Sequence, residues 1–181
     1  MGDLNHKAET FILHLFSRYI FLVILGLGNL FIIYKIFTFP TIFSSYNLLK
    51  IFFEVSLSGN FIFFKSQSIE IINACIAGSA YYLLLILNLS TEISPLKSRI
   101  YSLIFSLFVL FIFNVLRIVL LSYLFFNDYS SFDIIHKATW YGLSALIVVS
   151  IWFAEVYIFK IKNIPIYSDI KKLLKLTKKK N

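Results

Sequence analysis

Three residues of this chain have side chains able to do acyl chemistry together: Cys75, Arg117 and His136. A cysteine attacks as the thiolate, so its proton must be removed at attack or its acidity raised. An imidazole can take that proton and later return one to a leaving amine. A guanidinium keeps its charge when partly dehydrated and stabilises a thiolate or the oxyanion of a tetrahedral intermediate. Acyl transfer uses all three groups and needs neither metal nor cofactor. Asn114 stands three residues before Arg117, on the same helical face, where it could orient the guanidinium. Each residue also has a plainer reading. A lone cysteine in an apolar segment behaves as a small hydrophobe, an arginine near a span end snorkels to headgroups, and a histidine opening a helix is commonly a surface residue.

The elements that would position these groups follow from composition. The chain has 181 residues, 59% hydrophobic, 19% aromatic and 14% charged. Soluble domains carry about 45–50% apolar and about 25% charged residues, and a chain this short cannot bury so large an excess away from water. A soluble domain, a disordered chain and a disulfide-built module are excluded, and a single integral membrane domain over residues 1–181 is expected. The net charge of +8 is concentrated in residues 160–181, where eight lysines face one acid, Asp169. A charge confined to one tail argues against nucleic-acid binding and for contact with anionic membrane lipids. The lone cysteine excludes an internal disulfide.

A helical span needs about 20 mostly apolar residues. Four stretches qualify, at about 11–34, 71–89, 100–126 and 134–159, predicting an all-α bundle of about four transmembrane helices. The start of the chain resembles a signal peptide. No small-x-small site follows Leu30 and Lys35 comes soon after, so the segment reads as a retained anchor. Basic residues mark the cytoplasmic side: the tail, Lys97 and Arg99 in the 90–99 loop, and Lys7 with Arg18. Residues 35–70 and the 127–133 loop are then external. Within 35–70, Thr41 to about Leu57 reads as an amphipathic helix on the outer surface after Pro40, with a fifth span as the competing reading. The run Phe61–Phe64, a polar turn at Lys65–Ser68 and Ile69–Ile72 read as a short β-hairpin before the cysteine.

Depth places the reactive groups together. Cys75 lies about 22 Å from the inner end at Ser90, Arg117 about 27 Å from Arg99, and His136 about 36 Å from Lys160 at helical rise. Three spans of alternating direction thus bring thiol, guanidinium and imidazole to the external side. His6 and His14 fall at the opposite side, which leaves too few external ligands for zinc. Glu155 is the one acid within a span and reads as structural or interfacial. Trp140, Tyr141 and Gly142 either line the site or belong to an interfacial aromatic belt.

The segment Asn73-Ala74-Cys75-Ile76-Ala77-Gly78 opening a span, then Asn114-Val115-Leu116-Arg117-Ile118, then His136 opening the last span, resembles the archaeosortase/exosortase family. The likeness covers roughly residues 59–159. It implies a multi-pass cysteine transpeptidase or protease that cleaves secreted proteins bearing a short motif, a hydrophobic helix and a basic C-terminal end, with transfer to an amine-bearing acceptor. It implies Cys75 as nucleophile, Arg117 as stabilising cation and His136 as the proton-transfer residue. The chain departs from the family in two ways. The family usually has a glycine two residues after the cysteine, where Ala77 stands here with Gly78 next, and many members have about twice the spans. A non-catalytic membrane scaffold is the alternative from a different class, and a small transporter a third.

Overall fold

The computed structural model describes residues 2–91, 96–161, 163 and 165–178. Its elements run α1 (Gly2–Leu27), α2 (Phe31–Leu49), β1 (Ser56–Ser58), β2 (Phe61–Phe64), β3 (Gln67–Glu70), α3 (Asn73–Ile76), α4 (Gly78–Leu89), α5 (Leu96–Phe126), α6 (Phe132–Ala138), a π-helical turn (Thr139–Leu143), α7 (Ser144–Ile158) and α8 (Tyr167–Lys178). Among the described residues, three helical segments are long and apolar enough to cross a membrane: Glu9–Leu27, Leu96–Phe126 and Phe132–Ile158.

The helix α5 is central, packing against α2, α4 and α7. One apolar core joins Leu22, Leu25, Ile33, Tyr81, Leu84, Leu110, Val148 and Ile151 across α1, α2, α4, α5 and α7. A second joins Ile42, Leu49, Ile62, Ile71, Ile76, Val115, Ile118 and Phe126, binding the sheet to the tops of α2 and α5. The apolar side chains that point away from both cores, such as Phe39, Leu116, Leu146 and Phe153, are exposed. A bundle in lipid has that surface, since tails solvate it as well as a core would.

The two ends of the bundle differ chemically. At one end Arg18 Nη2 is 2.9 Å from Asp169 Oδ2, and Arg18 Nη1 and Arg99 Nη2 donate to the Thr91 carbonyl at 3.3 and 3.0 Å. The Tyr19 hydroxyl reaches Asp169 at 3.3 Å, and Ile166 N donates to Ser90 O at 3.0 Å. The basic tail is therefore seated on the bundle by its one acid, an arrangement its lysine content does not reveal. At the other end lie the sheet, α3, the top of α5 and α6.

Several expectations are corrected. The stretch 71–89 is not one long span: it divides into α3 and α4 at Ala77, whose φ of 60° and ψ of 38° are left-handed, and Asn73–Leu89 falls short of the spanning length. The first span stops at Leu27 rather than 34, because Asn29 and Leu30 take φ of 49° and 59° and turn the chain into α2. No amphipathic helix covers Thr41–Leu57. Instead α2 begins at Phe31, runs through Pro40 and ends at Leu49, with Thr41, Ile42, Ser45 and Leu49 buried. Small polar residues that face neighbouring helices allow close approach, and Thr41 and Ser45 take that place here, with Phe39 and Phe43 turned outward. The expected hairpin is present as β2 and β3, and β1 adds an unexpected third strand, giving an antiparallel sheet of order β1-β2-β3. Its second turn is tighter than expected: Phe64 pairs with Gln67 across Lys65-Ser66, Lys65 having φ of 52°. Of the two readings of Glu155, structural or interfacial, the structure fits the first: it is fully buried and accepts from Asn88 Nδ2 and from the Ser102 hydroxyl. Residues 92–95 of the expected inner loop, and 162, 164 and 179–181 of the tail, lie outside the described residues.

Candidate active site

Cys75 reaches its position from the sheet. Ile71 N donates to Asn60 O at 2.9 Å, carrying the ladder one residue past β3, and Cys75 N then donates to Ile72 O at 2.8 Å as α3 begins. One turn later Ala77 breaks the helix, and α4 starts afresh at Gly78. The break has a packing partner. The Tyr34 ring of α2 lies so close to Gly78 that a Cβ there would meet it at 2.5 Å. Glycine is the residue that adopts this left-handed conformation without steric cost, and here Ala77 holds it.

Stopping a helix after one turn leaves carbonyls with no amide one turn ahead. The orphans here are the oxygens of Cys75 and Ile76, and α5 supplies the donors. Asn114 Nδ2 donates to Cys75 O at 3.1 Å and to Ile76 O at 3.2 Å, and Arg117 Nη2 donates to Cys75 O at 3.2 Å. The three-residue spacing of Asn114 and Arg117 thus grips the backbone of the cysteine. Arg117 Nη1 turns the other way and donates to Ser144 Oγ at 3.0 Å, and Ser144 Oγ donates to Thr139 O at 2.8 Å. Arg117 Nε is buried without a partner among the described residues. A guanidinium has five N–H donors, so capacity remains for a further acceptor.

His136 sits on α6, exposed, its ring stacked on Phe132 with centroids 5.5 Å apart and planes 16° apart. Its carbonyl accepts from Thr139 Oγ1 at 2.9 Å. The wide π-helical turn that follows leads straight into Ser144. Such turns are rare and concentrate at functional sites. Here the turn lets one continuous helical segment present His136 and the Arg117 partner Ser144 to the same region.

Cys75, Arg117 and His136 all line one cavity of about 610 Å³, whose lining also includes β3, Phe125 and Trp140. Its lining also includes Tyr141, so these aromatics border the site whatever they do at an interface. Among the described residues no hydrogen bond joins the Cys75 thiol to His136. Catalytic hydrogen bonds are often long before substrate arrives. Asn114 is buried behind the cavity, against the cysteine carbonyl, and supports the thiol-bearing turn rather than the thiol.

Ser144 and Thr139 escaped the sequence reading. Hydroxyl residues in an apolar span carry no spacing signal, and a π-turn shifts the register that a regular helix would predict. A second buried polar group, Glu155 with Asn88 and Ser102, lies on α7, α4 and α5 away from the cavity.

Neither family models, nor curated proteins, nor solved structures give a match to this chain.

Proposed function

We propose that this chain is a membrane-embedded cysteine transpeptidase or protease of the archaeosortase/exosortase kind, working at the membrane face opposite its basic tail. The observation that carries the reading is the convergence of Cys75, Arg117 and His136 on one cavity from three elements, 42 and 19 residues apart in sequence. In the reaction, Cys75 Sγ attacks the scissile carbonyl carbon while His136 takes the thiol proton. The oxyanion is stabilised by the guanidinium of Arg117. Collapse breaks the C–N bond, His136 returns the proton to the leaving amine, and a thioester on Cys75 remains. An amine or water then attacks the thioester and restores the thiol.

The substrate class is a secreted protein with a short motif, a hydrophobic helix and a basic end. Its helix lies in lipid against the exposed apolar faces of the bundle, which turns encounter into local attack. Besides the three segments long enough to span, this reading takes the shorter α3–α4 segment as a fourth crossing, with both termini cytoplasmic by the positive-inside rule. The structural test is replacement of the nucleophile. Cys75→Ala is expected to abolish processing of a co-expressed tagged substrate while inserting into the membrane at wild-type levels. Undiminished processing would remove the enzymatic reading.

One observation favours a non-catalytic scaffold instead: Arg117 and Asn114 already spend donors on the Cys75 carbonyl, as packing groups would. That reading expects Cys75→Ala to be silent and Arg117→Ala to impair assembly.

A further inference from the structure

The strand order β1-β2-β3 leaves β3 at an edge of the sheet, and that edge borders the cavity: Ser68, Glu70 and Ile72 line it together with Cys75. The register decides which backbone groups are free. Ile71 N bonds to Asn60 O, so the pairs 60·71, 62·69 and 64·67 exchange hydrogen bonds across the β2–β3 ladder. Pairs alternate in an antiparallel ladder between bonded and non-bonded. Ser68 and Glu70 therefore turn their N–H and C=O groups away from β2. Among the described residues no backbone or side-chain group bonds them. Unpaired edge groups are a template for another strand. Short length and the charge of Glu70 limit this edge as a site of aggregation, yet its outward groups stay unpaired among the described residues, it holds no proline, and it runs straight into the turn that bears Cys75.

We propose that the outer edge of β3 takes an extended peptide segment as a fourth strand, main chain to main chain, and lays it across Cys75. This rests on the peptide-cleaving reading above and adds how the peptide is held. In strand addition the main chain supplies affinity and pockets for alternate side chains supply selectivity. Beside β3 the apolar wall of Leu121, Phe125 and Trp140 fits one face of such a strand. The segment bound is thus extended, not helical, and requires free N–H groups at alternate positions.

The test uses the full chain in detergent and reads alkylation of Cys75. The probes are acetyl-Val-Ala-Val-Ala chloromethyl ketone, the same peptide N-methylated at alternate residues, and chloroacetone, which needs no strand. Strand addition predicts that the parent peptide reacts at least tenfold faster than chloroacetone and that N-methylation on the pairing edge removes the advantage. Glu70→Pro deletes an outward N–H that the ladder does not use, and it is expected to remove the same advantage, read as the ratio of the peptide rate to the chloroacetone rate on that variant. Glu70→Ala, which keeps the N–H, should retain it. Equal rates for the parent and every N-methylated peptide on the wild-type chain would overturn the proposal, whether or not Glu70→Pro folds. Sluggish reaction with chloroacetone alone would instead count against thiolate chemistry at Cys75, so the two failures are distinct.

Discussion

Arg117 Nη2 lies 3.2 Å from the main-chain oxygen of Cys75, a contact across 42 residues that ties the central helix to the turn bearing the thiol. It exists because Ala77 ends α3 after one turn and frees that carbonyl. Backbone break, cation and thiol-bearing turn are one unit, and perturbing any of them should move the others.

Asn114→Ala removes two hydrogen bonds to the carbonyls of Cys75 and Ile76. Leaving buried acceptors short of a donor costs about 1–3 kcal/mol, although Arg117 still serves one of them. Thermal unfolding in detergent is expected to shift down accordingly, and the rate of Cys75 alkylation by a small reagent should change with it. An unchanged melting temperature would mean that these bonds do not hold the turn.

Ala77 and Gly78 should respond in opposite senses. The left-handed conformation costs a residue with a Cβ about 1–2 kcal/mol, while glycine adds unfolded-state freedom worth about 0.4–1 kcal/mol. Ala77→Gly is therefore expected to be neutral or mildly stabilising in a melt. Gly78→Ala places a Cβ 2.5 Å from the Tyr34 ring, which must shift to make room, and should destabilise. Gly78→Ala in a Tyr34→Ala background should recover much of the loss.

Spacing in the sequence was enough to expect Cys75, Arg117 and His136 near one level, because helical rise is fixed and each depth was counted from the inner end of its span, at Ser90, Arg99 and Lys160. It could not give rotation about the helix axes, which is why the Ser144 contact to Arg117 was invisible. The π-turn at Thr139–Leu143 leaves no mark in residue type. The helix α2 was missed for a different reason. Pro40 reads as a breaker and Ser45 as solvent-facing in water, whereas here Ser45 is buried and Phe39 and Phe43 are exposed. The strand β1 is three residues long, below the length at which alternation can be told from chance.

Asp169 anchors the basic tail through Arg18, whose side chain is 10% exposed against 4% for the acid. Asp169→Ala removes that pair and the Tyr19 contact, and α8 is expected to detach from the bundle. Limited trypsin digestion should then cut at Lys171 several-fold faster than in the wild type, with Cys75 reactivity unaltered at the far end. An unchanged digestion rate would mean that the tail is held by something other than its acid.

The most direct test of a thioester on Cys75 is turnover of a substrate with a hydrophobic C-terminal helix in the presence of hydroxylamine, with the new C-terminus read by mass spectrometry. Hydroxylamine attacks a thioester and leaves a hydroxamate, so a hydroxamate-terminated product that rises with hydroxylamine concentration is predicted, and none from Cys75→Ala. A product ending in carboxylate at every hydroxylamine concentration, formed equally by Cys75→Ala, would contradict the account.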